Sequence, residues 1–199
     1  RLYLIPDEID LGLCVSDAVE QLRLLAQAKQ QTLEAAVPSD PLMVWADRDR
    51  LFQIVTNLVQ NAVKFTPEGG SIMVAVRQEN QTLAGVSVRD TGPGIPPEFL
   101  DQIFDPFFRV KQVRSGIKGL GLGLSIVRTL VKLHGGTISA RSGPGRGAEL
   151  YFTIPLCPTK ASPPDHASAD APRILVVDDD PDIRQLLEDR LRAKGYRVQ

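Results

Sequence analysis

The run Asn57-Leu-Val-Gln-Asn61-Ala-Val-Lys64-Phe65 lies in a segment whose apolar residues, Leu51, Ile54, Val55, Leu58, Ala62 and Phe65, keep the spacing of a helix with one face on a core. On that helix Gln53, Asn57 and Asn61 recur every fourth residue and form a polar stripe along the edge of the apolar face. A fold that buries the apolar face must therefore set three carboxamides at the border of its interior. They are either decoration on a solvated face or ligands. An Asn carbonyl is a neutral, hard oxygen that suits a magnesium ion whose other ligands are phosphate oxygens and water, and Lys64 could reach those same phosphates.

Two further signatures bear on that choice. Val86, Val88 and Asp90 alternate with Ser87 and Arg89, the pattern of a strand with one buried face, and Asp90 ends the buried row before Thr91-Gly92-Pro93-Gly94 breaks the strand. A carboxylate at the edge of a core can accept a hydrogen bond from an exocyclic amine such as that of adenine, while glycines let a flat base approach the backbone. An Asp that merely caps the following turn fits the same residues. Gly119-Leu120-Gly121-Leu122-Gly123-Leu124 then leads into a helix whose buried face is Leu124, Val127, Leu130 and Val131, ended by Gly135-Gly136. Glycines before a helix start let backbone amides converge on an anion, and triphosphate fits that description. Neither a Gly-x4-Gly-Lys-Ser/Thr loop nor a Gly-x-Gly-x-x-Gly after a strand is present, so the site is of another kind.

In this order the motifs resemble the catalytic and ATP-binding domain of sensor histidine kinases, in the superfamily that also holds gyrase-type topoisomerases, mismatch-repair ATPases and heat-shock chaperone ATPases. Asn57 to Phe65 resembles the N box, Asp90 to Gly94 with Ile95 beside it the first glycine box, Phe104-Asp-Pro-Phe107-Phe108-Arg109 the F box, and Gly119 to Gly123 the second glycine box. The resemblance implies that Asn61 holds magnesium and Lys64 contacts phosphate. It makes Asp90 the adenine reader, with Phe65, Gly92, Gly94, Ile95, Phe104, Phe107, Gly119, Leu120, Gly121, Leu122 and Gly123 around the nucleotide. Leu120 departs from the family, which often has Thr or Ser there, so a hydroxyl contact is lost while the backbone amide remains. ATP-hydrolysing members generally carry a Glu one turn before the metal-binding Asn, where it serves as general base. Asn57 takes that place here, and an amide cannot take up a proton at neutral pH. The resemblance therefore implies phosphoryl transfer, with Asn57, Asn61 and Lys64 as catalytic residues, to a histidine on a separate dimerisation helix. A non-catalytic ATP-sensing module is the alternative, and an ATPase of the same superfamily is disfavoured by Asn57.

The histidines, His134 and His166, do not resemble a phosphoacceptor: His134 falls in the last turn before Gly135 and suits a helix C-terminus, and His166 lies in a Ser-, Ala- and Pro-rich stretch. The acceptor is expected before residue 1, in a protein that is a homodimer at full length. A net charge of −1 gives no global electrostatic case for nucleic acid or membrane binding. No apolar run approaches the roughly 18 residues of a membrane span, and no secretory signal is visible. Cys14 and Cys157 make neither a metal spacing nor a disulfide framework. The expected location is cytoplasmic.

The periodicities predict an α/β domain: a two-layer sandwich of the Bergerat (GHKL) type, a mixed sheet with helices on one face. Helices are expected over 12–29 and 48–64, extended segments at 31–37 and 42–46, strands near 71–78 and 83–90, and a closing hairpin around Gly143-Pro-Gly145. The aperiodic stretch between Ile95 and Lys118 has the character of a lid, anchored by Phe104, Phe107 and Phe108, which plain core packing would also explain.

Four segments are expected in all: 1–10 as the end of a dimerisation helix or a connector, 11–157 as the ATP-binding domain, 158–172 as a Pro-, Ser- and Ala-rich linker, and 173–199 as a second domain's start. In the last, Arg173-Ile-Leu-Val-Val leads into Asp178-Asp179-Asp180-Pro181 and an amphipathic helix closed by Gly195. This resembles the truncated opening of a flavodoxin-like response-regulator receiver domain. The resemblance makes Asp178 and Asp179 its magnesium-holding pair, with the phosphoacceptor Asp beyond residue 199.

Overall fold

The computed structural model describes residues 3–109, 120–157, 173–174 and 197–198. The chain divides into two compact units, Arg1–Cys157 and Pro158–Gln199.

In the first unit, β1 (Asp7–Asp10) leads into α1 (Leu11–Gln27), whose N-cap Asp10 accepts hydrogen bonds from the Gly12 and Leu13 amides. After β2 (Thr32–Ala36) and β3 (Met43–Ala46), Asp47 caps α2 (Arg48–Phe65) through the Arg50 amide. Next come β4 (Ser71–Gln78) and β5 (Leu83–Asp90), then α3 (Gly123–Leu133), β6 (Ile138–Ser142) and β7 (Ala148–Pro155). Five strands form a sheet in the order β2-β4-β5-β7-β6, with β2 parallel to β4 and the other pairs antiparallel. The period-2 patterns place Ile72, Val74, Val86, Val88, Phe152 and Ile154 on one face, against Val15 and Leu22 of α1, Ile54 and Leu58 of α2, and Val127 and Leu130 of α3. Side chains of this kind, fully buried, contribute about 1.5–3 kcal/mol each. The opposite face carries exposed Arg77, Arg89 and Met73.

The mixed sheet with one helical layer agrees with the expectation, and the helix and strand ends fall within a few residues of it. Three points differ. Residues 7–10 form a strand rather than the end of a helix, pairing antiparallel with Met43–Ala46; Pro6 disfavours helix at Ile5, and the pairing satisfies the backbone that follows. Phe65 does not complete the buried face of α2: it is 37% exposed, because the helix ends there and its last side chain projects past the core. His134 caps the C-terminus of α3, as its place before Gly135 suggested, but its ring also reaches outside that helix. Nδ1 lies 2.8 Å from the Leu130 carbonyl, and Nε2 accepts from the Asp47 amide at 3.1 Å, fixing the proton on Nδ1 and joining the end of α3 to the start of α2.

In the second unit, β8 (Arg173–Ile174) pairs in parallel with β9 (Arg197–Val198). The expected linker, Asp178 and Asp179, and the amphipathic helix after them lie outside the described residues.

Candidate nucleotide site

A cavity of about 570 Å³ opens between the end of α2, the turn after β5, the start of α3 and the β6–β7 hairpin. Asp90 stands at one end of it. Its Oδ1 accepts from the Gly92 amide at 2.7 Å and from the Ala148 amide at 3.3 Å. Oδ2 accepts nothing among the described residues, so a carboxylate oxygen is left for a donor in the cavity. Burial pushes the Asp90 carboxyl above its ordinary value, partly offset by those amides. The two sequence alternatives for Asp90 are therefore one arrangement: capping the turn orients the carboxylate. Gly94, Ile95 and Leu150 line the same end, with Val88 beneath.

Asn61, Lys64 and Phe65 line the cavity from α2, and Leu120, Gly121, Leu122, Gly123 and Leu124 from the start of α3. The first amides of α3 have no intrahelical partners and no side-chain cap, which leaves the positive end of the helix dipole open to an anion. Burial, and then Arg109, holds the Lys64 ammonium below its ordinary value. Lys64 Nζ also lies 5.1 Å from the centre of the Phe65 ring.

Several expected site residues stand elsewhere. Asn57 does not line the cavity: its Nδ2 donates to the Gln53 carbonyl at 2.8 Å, and its Oδ1 faces Gly123, where a Cβ would come within 3.3 Å. Phe104 is a core residue, 5% exposed, and Phe107 is 71% exposed, so neither ring touches the cavity. Phe107 instead anchors the segment, its amide donating to the Gly121 carbonyl at 3.0 Å. Gly92 is buried behind Asp90 and outside the lining. Gly119 lies outside the described residues. Sequence reasoning missed Arg109 and Ala148 as site residues. Arg109 was visible as the last residue of the Phe104-to-Arg109 run, whereas Ala148 carries no side-chain signal and enters through its backbone.

Which cofactor chemistry the cavity admits follows from its donors. Among the described residues no three His, Cys, Asp or Glu side chains form a metal cluster. The Asn61 carboxamide oxygen in the lining is a neutral, hard donor of the kind that suits an ion carried by phosphates.

Residues 46–158 match the family described as histidine kinase-, DNA gyrase B- and HSP90-like ATPases. The chain belongs to this family. Among histidine kinases it resembles the adaptive-response sensory kinase SasA of Trichormus variabilis, 35% identical over 159 residues, 80% of this chain and 39% of that protein. The chain thus spans about two fifths of the length of such curated relatives. The solved catalytic domain of the histidine kinase ThkA is 33% identical with a TM-score of 0.68, covering 78% of this chain and all of that one; ThkA has also been solved in complex with the response regulator TrrA. Full-length ShkA in complex with AMPPNP superposes with a TM-score of 0.69 at 29% identity, covering 99% of this chain and 41% of that one. The fold is that of a histidine kinase catalytic, ATP-binding domain.

Proposed function

We propose that this domain binds ATP with its adenine at Asp90 and its triphosphate at the start of α3, and passes the γ-phosphoryl group to a histidine on a dimerisation domain of the whole protein. The observation that carries the reading is the single cavity that joins a half-committed buried carboxylate to two cations and an open helix N-terminus. Lys64 and Arg109 neutralise phosphate charge, and the α3 amides orient the chain of phosphates, which is most of what phosphoryl transfer asks of a protein. Asn61 would hold the magnesium that ATP brings, and the ion would supply charge neutralisation. Asn57 offers no base for water and secures the floor beneath Gly123, which favours transfer over hydrolysis.

The second unit is read as the start of a receiver, making the protein a hybrid kinase. The parallel pairing of β8 with β9 fits a β-α-β opening, and the superposition on ShkA extends over 99% of the chain, this unit included. Asp178 and Asp179 would hold magnesium beside the receiver's phosphoacceptor. Cytoplasmic location, homodimerisation and a response-regulator partner belong to the same proposal. Among the described residues no helix is long and apolar enough to cross a membrane.

The test is phosphoryl transfer in trans. Incubated with labelled ATP and magnesium the chain alone stays unlabelled, and added to its own dimerisation domain it labels that domain's histidine, slowly for want of covalent linkage. Binding of ATP without labelling, both in trans and in the full-length protein, would leave a nucleotide-sensing module in place of a kinase.

A further inference from the structure

The β6–β7 hairpin is fastened to the turn that follows Asp90. The Gly145 amide donates to the Pro93 carbonyl at 2.8 Å. Gly94 and Gly147, at φ of 78° and 72°, meet Gly143 and Asp90 so closely that a Cβ on either would collide with the partner's carbonyl oxygen. Beside these contacts, one hydroxyl of the hairpin bonds both across the seam and within the hairpin. Ser142 Oγ accepts from the Ile95 amide at 2.7 Å and donates to the Gly147 carbonyl at 2.6 Å.

Those two partners belong to opposite lips of the Asp90 end of the cavity. Ile95 lines it from the turn, and Gly147 precedes Ala148, which lines it from the hairpin and donates its amide to Asp90 Oδ1. The direction in which Asp90 Oδ2 points is set by what Oδ1 accepts, and one of those donors moves with the hairpin. A hydroxyl has a single proton, and at Ser142 it is spent on Gly147, so the lone pairs are left for Ile95. Both lips are thereby held by one oxygen.

We propose that Ser142 is a positioning residue for base selection: by clasping Ile95 to Gly147 it fixes the aim of Asp90 and with it the preference for adenine over guanine. This rests on the reading that Asp90 faces the adenine amine, and it assigns to a residue outside the cavity a share of that specificity.

The experiment measures ATP, GTP and tripolyphosphate binding with magnesium to the 199-residue chain and its Ser142→Ala and Ser142→Thr variants, with Asp90→Asn alongside. Loss of hydrogen bonds of ordinary strength translates into about a three- to tenfold drop in ATP affinity for Ser142→Ala. GTP and tripolyphosphate affinities stay unchanged, so the ATP-to-GTP ratio shrinks by the same factor, and Ser142→Thr restores it. An equal weakening of all three ligands would assign Ser142 a merely structural role and overturn the proposal. So would an unchanged ratio in Ser142→Ala while Asp90→Asn loses its preference, leaving the Asp90 reading intact. A preference kept by Asp90→Asn removes that reading, and the proposal falls with it. Should Ser142→Ala not fold, Ser142→Cys, which keeps the shape with a weaker donor, gives the same comparison.

Discussion

Burial raises the Asp90 carboxyl above the 3.8 of a free aspartate, and two amides on Oδ1 offset this only in part. The native state therefore holds its proton to higher pH than the unfolded chain. Ionised Asp90 subtracts stability above its folded-state value, and the loss disappears as pH falls toward 3.8. Such a cost at the wall of a cavity is repaid only by a ligand that donates to Oδ2. Asp90→Asn is expected to raise the melting temperature of the ligand-free chain at neutral pH, because it removes the buried charge. In the same variant Oδ1 keeps its two amide donors, so the NH2 group replaces Oδ2 and confronts the adenine amine with a second donor. ATP affinity should drop about ten- to hundredfold by calorimetry, and that of GTP, which presents a carbonyl there, should not. For the unsubstituted chain, ATP affinity should decline on acidification as Asp90 takes up its proton, and the same decline in Asp90→Asn would show that the carboxylate is not the acceptor.

Helix α2 does two jobs with two faces. Leu51, Ile54, Val55 and Leu58 are fully buried, while Asn61 and Lys64 border the cavity from the last turns of the same helix. Because the apolar face holds the helix in place, the polar edge can change without loss of the element. Asn61→Ala is expected to leave helicity unchanged and unfolding free energy within about 1 kcal/mol of the parent, Ala being the better helix former. It should also abolish the gain in ATP affinity that magnesium brings, read as overlapping titrations with and without the ion. A magnesium response that survives in Asn61→Ala would move the ligand role to another residue. Helix α3 works by its end instead: Gly123 allows it to sit on the Asn57 and Asn61 edge of α2, so the first amides of one helix meet the polar stripe of the other. Arg128 and Asp105, 3.0 Å apart, tie the middle of α3 to the segment that carries Phe107 and Arg109.

At the scale of the molecule, every element that lines the cavity lies within Arg1–Cys157. A chain cut after Cys157 should therefore bind ATP within about twofold of the 199-residue chain; a tenfold change by calorimetry would show that the second unit acts on the site. How much of this was legible beforehand depended on whether a residue acts through its own side chain in a local pattern. Period 3.6 in α1, α2 and α3 and period 2 in β4, β5 and β7 record which face is buried, so the two layers, the polar stripe and Asp90 at the end of a buried row could be read from spacing alone. Phe104 and Phe107 could not be sorted, since an aromatic carries the same letter in a core as at a cavity, and only packing made one buried and the other exposed. Asn57 could be seen to lack a base, yet its retreat to the Gln53 carbonyl depends on where α3 lands. The strand at 7–10 needed a partner 39 residues away, Asp7 opposite Ala46, before its backbone had anywhere to bond. Ala148 and Ser142 gave no local sign at all. Ala148 matters through its backbone amide, which carries no side-chain signal, and Ser142 through a hydroxyl whose two partners are supplied only by the folded turn and hairpin. The sequence by itself determined the layers and the chemistry of the exposed functional groups, because these follow from side-chain identity and period. The tertiary structure alone decided which groups face one another, because that is set by close approach between segments far apart in the chain.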